Sequence, residues 1–366
     1  MKIQVGRNEL LSALQSVIGV VERRQTLPVL GNFLLDVADD VLTVTGTDLE
    51  MELIGRARVQ NLAPGRTTVP ARKLFDICRG LPEGAELTLE AAADKVTVRS
   101  GKSRFTLSSL RADEFPSMGA AAGGVAVTLK RAELKLLLER TQFAMAQQDV
   151  RYYLNGLLID VSPKRLRAVA TDGHRLAFSE LVRDIGVTES MQAILPRKSI
   201  IELSRLLDNT DEEVSLVIAP GQAMVDIDSV KLTTKTIDGR FPDYERVIPE
   251  NGDKRVTADR ETLRRALART AILSNEKFRG VRLLLDEGVL KLQTHNPEHE
   301  EAEEEIEVSY SGAAMEIGFN VNYLLDALGV MAAQEVALEL KNAESSGLLH
   351  EAGDASSKYV IMPMRL

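Results

Sequence analysis

Apolar residues return along this chain at two different periods, and the same alternation of periods occurs three times. Leu10, Ala13, Leu14 and Val17 stand at i, i+3, i+4 and i+7, the stripe of an amphipathic helix. Leu134, Leu137, Leu138 and Thr141 repeat the spacing, and Leu263, Ala266, Leu267 and Thr270 repeat it again. An arginine precedes the first leucine of each set by three residues: Arg7, Arg131 and Arg260. An apolar run ending in aspartate follows each stripe, at Gly31–Asp36, Asn155–Asp160 and Val281–Asp286, the three aspartates lying about 125 residues apart. These runs read as buried strands.

A second helix is expected in each repeat, beginning near Pro70-Ala71-Arg72-Lys73, Pro196-Arg197-Lys198 and Asn320-Val321-Asn322-Tyr323. Phe75 and Cys78, then Ile200 and Leu203, then Leu325 and Leu328 are its expected buried positions. A proline recurs late in each repeat, in Phe115-Pro116, Phe241-Pro242 and Met362-Pro363. Between these landmarks apolar and polar residues alternate, as in Val214, Leu216 and Ile218 or Val336, Leu338 and Leu340, the mark of strands with one wet face. The fold class is therefore α+β: three similar domains, each with two helices packed on antiparallel sheets. Ala120–Gly124 and Pro249–Gly252 are the expected linkers, giving domains at 1–124, 125–250 and 251–366.

Composition narrows the function classes. With 44% hydrophobic and 27% charged residues among 366, the chain has the balance of a folded protein and not of a disordered one. Its one cysteine, Cys78, cannot form an intrachain disulfide, which suits a reducing compartment. The start, Met1-Lys2-Ile3-Gln4-Val5, carries no apolar stretch behind a basic leader, and no apolar run approaches ~18 residues, so neither a secretory leader nor a membrane span is expected.

The formal charge of −9 argues against phosphate binding unless charge is segregated. The second and third first-helices and the first and second companion helices hold fourteen basic residues against six acidic ones. They include Lys130, Arg131, Lys135 and Arg140, then Arg260, Arg264, Arg265 and Arg269, then Arg72, Lys73 and Arg79, then Arg197, Lys198 and Arg205. Four helices sharing one sign in an acidic protein point to a phosphate-facing surface, although any amphipathic helix needs a polar face. Such a surface would hold the nucleic-acid backbone without reading sequence.

Catalytic chemistry is poorly supported. No Gly-x-x-x-x-Gly-Lys-Ser/Thr loop is present. His295 and His299 are spaced for a helical metal site, but Pro297 lies between them. His174 has no Ser or Cys partner in its motif. Asp48, Glu50 and Glu52 alternate as if on one strand face and would hold a divalent ion only if that face were more than a wet sheet edge. A metal-dependent hydrolase built on these carboxylates and a peptide-binding adaptor are the rival readings. No cofactor and no metal are expected.

Several runs resemble the bacterial beta sliding clamps, the beta subunits of DNA polymerase III. They include Thr26–Asn32, Gly46–Glu52, Val69–Lys73, Asp149–Gly156, Ala170–Leu176, Asp238–Tyr244, Ser274–Gly280 and Tyr359–Leu366, and together they span the whole chain. The resemblance implies a clamp fold and a head-to-tail homodimer forming a six-domain ring around double-stranded DNA, bound without sequence preference. It implies a processivity factor with no catalysis of its own, loaded by an ATP-dependent clamp loader in the cytoplasm and associated with the nucleoid during replication. Implied partners are the polymerase III alpha subunit, the clamp-loader delta subunit, and other DNA polymerases and repair proteins carrying a clamp-binding motif.

The resemblance also assigns residues. Arg24, Arg72, Gln148, Tyr152 and Tyr153 would touch DNA, the arginines on phosphates and the tyrosines on bases; alternation suggests that at most one tyrosine faces inward. A partner-peptide groove would draw Leu154, Thr171, Gly173, His174, Arg175 and Leu176 from the second repeat. Pro242, Arg246 and Val247 would join them, followed by Phe278, Asn320, Tyr323 and Ser346, and finally by Val360, Met362, Pro363, Met364 and Arg365. Its Met- and Leu-rich lining suits adaptable binding of short motifs, while Glu344 stands where an apolar wall residue is expected. The dimer joint would pair the basic edge strand bearing Arg104, Phe105 and Leu107 with the acidic run that includes Glu300, Glu303 and Glu304. Ile272 and Leu273 would pack at that joint.

Overall fold

Each of the three apolar stripes forms a helix, and each helix has a companion. The computed structural model describes residues 1–22, 27–119, 123–250 and 252–365. Among them the α-helices are α1 (Arg7–Val17), α2 (Ala71–Gly80), α3 (Arg131–Glu139), α4 (Arg197–Leu206), α5 (Arg260–Thr270) and α6 (Val321–Val330). The stripe residues of α1 and α5 are all buried. In the companions Cys78, Ile200, Leu203 and Leu328 are buried as expected, while at the other two positions burial shifts by one residue: Leu74 and Leu324 are buried, and Phe75 and Leu325 are only half covered. The Phe75 ring instead lies along the helix surface, 5.7 Å from the Arg79 guanidinium carbon.

The recurring arginines explain how the helices are tied together. A cation at a helix N-terminus opposes the macrodipole, yet α1, α3 and α5 all begin with arginine. Arg7 reaches across to the end of α2, donating from Nε to the Cys78 carbonyl (3.1 Å) and from Nη2 to the Arg79 carbonyl (3.3 Å). Arg260 does the same for α6, donating to the carbonyls of Leu328 (3.3 Å) and Ala333 (3.1 Å). These carbonyls lie at or just past the C-terminal ends of the companions, where positive charge is favoured. The companions reciprocate: Arg72 donates to the Val21 carbonyl (2.7 Å) and Arg197 to the Met145 carbonyl (3.1 Å), each just beyond a first helix.

The chain divides into two compact units, residues 1–132 with 201–236, and residues 133–200 with 237–366. The first unit holds a five-stranded sheet in the order Gln60–Ala63, Lys2–Gly6, Glu86–Ala92, Lys95–Ser100, Ser103–Ser108. Its eight-stranded sheet runs Val125–Lys130, Glu213–Ala219, Gln222–Ile227, Val230–Lys235, Met51–Arg58, Val41–Thr47, Asn32–Ala38, Gly65–Pro70. The second unit has an eight-stranded sheet in the order Met191–Pro196, Gly156–Ser162, Arg165–Thr171, Arg175–Val182, Ser357–Ile361, Gly347–Glu351, Glu335–Leu340, Lys254–Asp259. Its four-stranded sheet runs Glu301–Glu307, Val289–His295, Gly280–Asp286, Met315–Asn320.

Each eight-stranded sheet is a joint between successive repeats. In the first unit, Met51–Arg58 of the first repeat pairs antiparallel with Val230–Lys235 of the second, Gly55 opposite Val230. In the second, Arg175–Val182 of the second repeat pairs with Ser357–Ile361 of the third, Leu176 opposite Val360. The same two strand positions within a repeat are used both times. The rule leaves one strand of each kind unpaired on its outer side: Glu301–Glu307 in the third repeat and Ser103–Ser108 in the first, both at sheet edges. The expected linker residues Ala120–Ala122 and Asn251 lie outside the described residues.

Candidate nucleic-acid and peptide interfaces

The fourteen helical cations do not form one uniform phosphate-facing surface. Arg131 is buried, with 6% of its surface exposed, and its guanidinium is enclosed by Asp208 (3.3 Å), Glu212 (2.7 Å) and Asp228. Arg140 is also buried, donating to Ser357 Oγ (3.0 Å) and Ser356 Oγ (3.3 Å) and pairing with Glu351 (3.4 Å). Both leave the DNA-facing set and act as internal ties. A buried guanidinium is too costly to desolvate without such partners. Arg131→Met removes the cation that three carboxylates share. Because those carboxylates are more than half exposed, the cost is about 2 kcal/mol, below the about 3–5 of a fully buried pair, and is read as a lowered denaturation midpoint.

On the remaining surface Arg79 pairs with Asp76, Arg205 with Glu202, Arg264 and Arg265 with Glu261, and Arg269 with Glu304. Hydrogen bonds from Arg264 and Arg265 lower the Glu261 carboxyl to about 2, so the acid stays charged beside them. Pairs this exposed are worth little in water, so a phosphate competes for the same guanidinium groups at small cost.

Of the DNA candidates, Arg24 lies outside the described residues. Arg72 is exposed and spends one N–H on the Val21 carbonyl. Gln148 is exposed and adopts φ +57°, an unusual left-handed conformation for a residue with a side chain. The turn after it is held by reciprocal bonds: Asp149 N–H to Asn155 Oδ1 and Asn155 Nδ2 to the Asp149 carbonyl, both 2.9 Å. Arg151 chelates Asp149 from Nε and Nη2 and lowers its carboxyl to about 2. The segment Tyr152–Leu154 is a 3-10 turn and not a strand. Its two rings meet edge to face at 5.9 Å, with Tyr152 57% exposed and Tyr153 packed against the core. The difference in exposure between the two rings follows from the turn geometry and not from strand alternation.

The candidate groove residues all lie in the second unit, where the strand pairing brings the main group together. The Leu176–Val360 pair belongs to a buried cluster with Leu158, Phe178, Phe241, Tyr244 and Leu348. Above that floor the chain turns at Asp172-Gly173. Asp172 Oδ1 accepts from the His174 and Arg175 N–H groups (2.9 and 3.1 Å), and Thr171 Oγ1 donates to the Arg175 carbonyl (2.6 Å). Gly173 has φ +87°, and a Cβ there would stand 2.8 Å from the Arg151 guanidinium. The turn therefore requires glycine.

Arg175 is an organiser and not a free ligand. It pairs with Asp172 (3.1 Å) and Asp326 (2.5 Å), donates to the Phe143 carbonyl (2.9 Å), and stacks over Tyr323 at 4.5 Å. Burial pushes the Tyr323 phenol up, and Asp172 adds to the shift. The tail continues past the strand with Met362 N–H donating to the His174 carbonyl (3.0 Å) and Met364 N–H to the Gly318 carbonyl (2.9 Å).

Exposed apolar surface remains at Val247 (47%), Met362 (48%) and Phe278 (56%); Pro242 and His174 are exposed and Pro363 is half-buried. Leu154 is buried. Asn320 Nδ2 donates to the Phe278 carbonyl (3.4 Å), and Phe278, Met364 and Arg365 border one cavity. Arg246 pairs with Asp243 (2.9 Å) and shares a different cavity with Ser346. Glu344 is exposed in the turn after Asn342, whose side chain accepts its N–H (3.0 Å). It borders none of these contacts.

Of the candidate joint residues, Arg104, Phe105 and Leu107 lie on one free edge strand and Glu303 and Glu304 on the other, with Glu300 just before it. Phe105 is half-buried, but Leu107 is already buried in its own chain. Arg104 is exposed. Ile272 is 75% exposed and Leu273 half-buried, on the 3-10 turn Ala271–Leu273 that ends α5. Glu300 accepts from Asn296 Nδ2 (2.6 Å), Glu303 from Gln293 Nε2 (2.6 Å), and Glu304 from Arg269 (2.5 and 2.8 Å).

The candidate metal face does not exist as expected. Asp48 and Glu50 lie in the turn before the strand Met51–Arg58. Asp48 Oδ1 accepts from the Glu50 and Met51 N–H groups (3.0 and 2.7 Å), Glu50 pairs with Lys235 (3.0 Å), and Glu52 is buried and accepts from Met118 N–H (3.0 Å). The three carboxylates go to three separate tasks. Among the described residues no group of three His, Cys, Asp or Glu side chains is placed to hold a metal ion, and no helix is long and apolar enough to cross a membrane.

Three repeats joined by continuous antiparallel sheet, with capped helix pairs, define a three-domain clamp fold of the α+β class. Residues 1–119 match the DNA polymerase III beta subunit N-terminal domain, residues 128–243 its central domain and residues 245–365 its C-terminal domain. The chain is 54% identical to the beta sliding clamp of Pseudomonas putida, over 100% of both chains. A crystal structure of the DNA polymerase III subunit beta from Pseudomonas aeruginosa superposes with a TM-score of 0.97 at 52% identity, covering 100% of both chains. A sliding clamp from the same species, bound to griselimycin, gives the same TM-score and identity over 100% of both chains. The chain belongs to the bacterial beta sliding clamp family, the non-catalytic processivity subunit of DNA polymerase III, which acts in DNA replication.

Proposed function

We propose that two copies of this chain close head to tail into a ring that encircles duplex DNA and presents a peptide groove to replication partners. The observation that carries the reading is the joint rule. Two internal joints pair the same two strand positions of successive repeats, and the rule leaves Glu301–Glu307 and Ser103–Ser108 open. Pairing those edges between two chains satisfies both and leaves no open edge of this kind. Their charges are complementary: Arg99, Lys102 and Arg104 lie on or beside one strand, and Glu300, Glu301, Glu303, Glu304 and Glu305 on or beside the other. Ile272 and Leu273 supply apolar contact beside the acidic edge, and Phe105 supplies it on the basic one. The three domains are 1–124, 125–250 and 251–366.

In this reading Arg24, Arg72, Gln148, Tyr152 and Tyr153 touch the nucleic acid, through contacts to the backbone and one exposed ring, so every step along the duplex is equivalent. The exposed Met362, Val247 and Pro242 above the Leu176–Val360 floor receive the apolar anchors of short motifs. Those motifs belong to the polymerase alpha subunit, the clamp-loader delta subunit, and other polymerases and repair proteins. The site of action is the cytoplasm, at the nucleoid. Sedimentation equilibrium of the intact protein tests the closure. A species of twice the 40.1 kDa chain mass is expected at micromolar concentration, with dissociation favoured by salt because the edges are charged. A 40.1 kDa monomer under low salt refutes it.

A further inference from the structure

The groove wall that carries Pro242 and Val247 is attached to the second unit by side chains. Ile237 N–H still donates to the Ile194 carbonyl (2.8 Å), but from Asp238 to Val247 no hydrogen bond between main-chain groups joins the segment to the rest of the described residues. Phe241 and Tyr244 are sunk in the buried cluster with Leu176 and Val360, and Ile248 packs against it. A segment without a ladder belongs to the low-stability end of a fold unless its side chains hold it.

One polar clip holds this one. Asp160, Arg167 and Glu180 stand abreast on three neighbouring strands. Arg167 donates from Nε to Glu180 (2.8 Å) and from Nη1 to the Tyr244 hydroxyl (3.1 Å) and to Glu245 (2.6 Å), with its guanidinium carbon 5.1 Å from the centre of the Phe178 ring. The Tyr244 hydroxyl in turn donates to the buried Asp160 (3.1 Å). Burial pushes this phenol up, so the hydroxyl stays a donor. A guanidinium so covered has to keep its acceptors, which fixes Tyr244 and Glu245 over the sheet. Pro242 lies two residues before Tyr244, and Val247 closes the 3-10 turn Tyr244–Val247, so the clip sets where both stand. Asp160, Arg167 and Glu180 belong neither to the groove set nor to either free edge strand.

We propose that Arg167 is a positioning residue for partner binding, which holds the Pro242–Val247 wall in its peptide-accepting place through Tyr244 and Glu245. The proposal rests on the groove reading. The Arg167 side chain is only 12% exposed, so it acts through the segment and not by touching the partner. Without the clip the wall samples other positions, and apparent affinity falls in proportion to the fraction of molecules whose wall is in place. A lysine carries the charge but not the planar fork that serves three acceptors at once, so it replaces the arginine incompletely.

The test uses the full-length protein and a labelled synthetic peptide, the clamp-binding segment of the replicative polymerase, read by fluorescence anisotropy well below the melting temperature. Arg167→Met keeps the apolar stem over Phe178 and is expected to weaken the peptide about tenfold, the result of a competent fraction of about one in ten. Arg167→Lys is expected to fall between that variant and the wild type. Tyr244→Phe keeps the ring and is expected to weaken the peptide as well, with the double variant no weaker than Arg167→Met, because the two groups act as one unit. Hydrogen exchange of the peptide-free variants should quicken over 238–248 and not over the strand Gly156–Ser162, while sedimentation stays that of the wild type. A role in global stability alone lowers the melting temperature and moves neither affinity nor this local exchange. If the wild type binds and Arg167→Met binds within about twofold of it, whatever its melting temperature, the proposal is overturned and the groove stands. If Arg167→Met does not fold, Tyr244→Phe decides by the same criterion. If the peptide does not bind the wild-type protein, the groove reading and the proposal fall together.

Discussion

Replacing Ile272 and Leu273 together by alanine is expected to convert the dimer to monomers at micromolar concentration. Ile272 is 75% exposed just past the end of α5, and covering it at a joint removes apolar surface from water. Truncating two aliphatic side chains at one joint forfeits about 3 kcal/mol of apolar burial. A head-to-tail ring of two chains has two identical joints, so full dissociation loses about twice that, roughly a 10⁴-fold rise in the dissociation constant. Opening a single joint loses the amount once, about 100-fold. Sedimentation equilibrium measures the first quantity. The lifetime of the loaded protein on DNA circles measures the second, and the two should differ by that square. Leu273 is half-buried within its own chain, so thermal stability of the protomer should fall by a few degrees at most. A double variant that sediments as the wild type removes these residues from the joint.

Deleting residues 362–366 is expected to abolish partner binding while the dimer persists. The cut falls just after the strand Ser357–Ile361, so the sheet and the buried Val360 are kept. It removes the exposed Met362, the bonds that fix Met362 to the His174 turn and Met364 to Gly318, and one wall of the adjoining cavity. A central apolar anchor in a peptide site contributes at least about 2 kcal/mol, and here the anchor's wall and the turn opposite are both disturbed. Peptide affinity should fall at least about 100-fold by anisotropy. Binding within threefold of wild type shows that the tail is not part of the groove.

The elements of this fold are legible in the sequence because they rest on local periodicity. The stripes at Leu10, Leu134 and Leu263 gave α1, α3 and α5, and Pro70, Pro196 and Asn320 marked the starts of α2, α4 and α6. The edge position of Ser103–Ser108 was also readable, with Phe105 and Leu107 on one face. What failed was the assignment of charge. Arg131 and Arg140, counted with the phosphate-facing cations, are both buried. Their partners are remote: Glu351 is 211 residues from Arg140, and Asp228 is 97 from Arg131. No window of sequence contains such a pair. The signal that was present is the fixed register of Arg7, Arg131 and Arg260 before each stripe. A cation at a helix N-terminus is electrostatically misplaced unless it serves another element, which is how Arg7 and Arg260 serve α2 and α6.

The candidate site was less legible than the fold. Arg175 is assigned to the groove by resemblance, and Asp172, Asp326 and Tyr323 engage it, the last two from the third repeat. Asp48, Glu50 and Glu52 alternate in sequence, but the strand begins only at Met51, so the period-two argument was applied across a turn. The pairing of Arg175–Val182 with Ser357–Ile361 had no local signature, because it joins strands of different repeats. That pairing brings the Thr171–Leu176 turn beside the tail.

The central claim is topological: the protein holds DNA by enclosing it and not by affinity. Loading the protein with its clamp loader onto nicked circular DNA, isolating the complex by gel filtration in moderate salt, and then cutting the circle once measures this directly. Retention on the intact circle, followed by release within minutes of linearisation, is predicted. Equal retention on circle and linear duplex contradicts the account, and so does failure to remain on the circle.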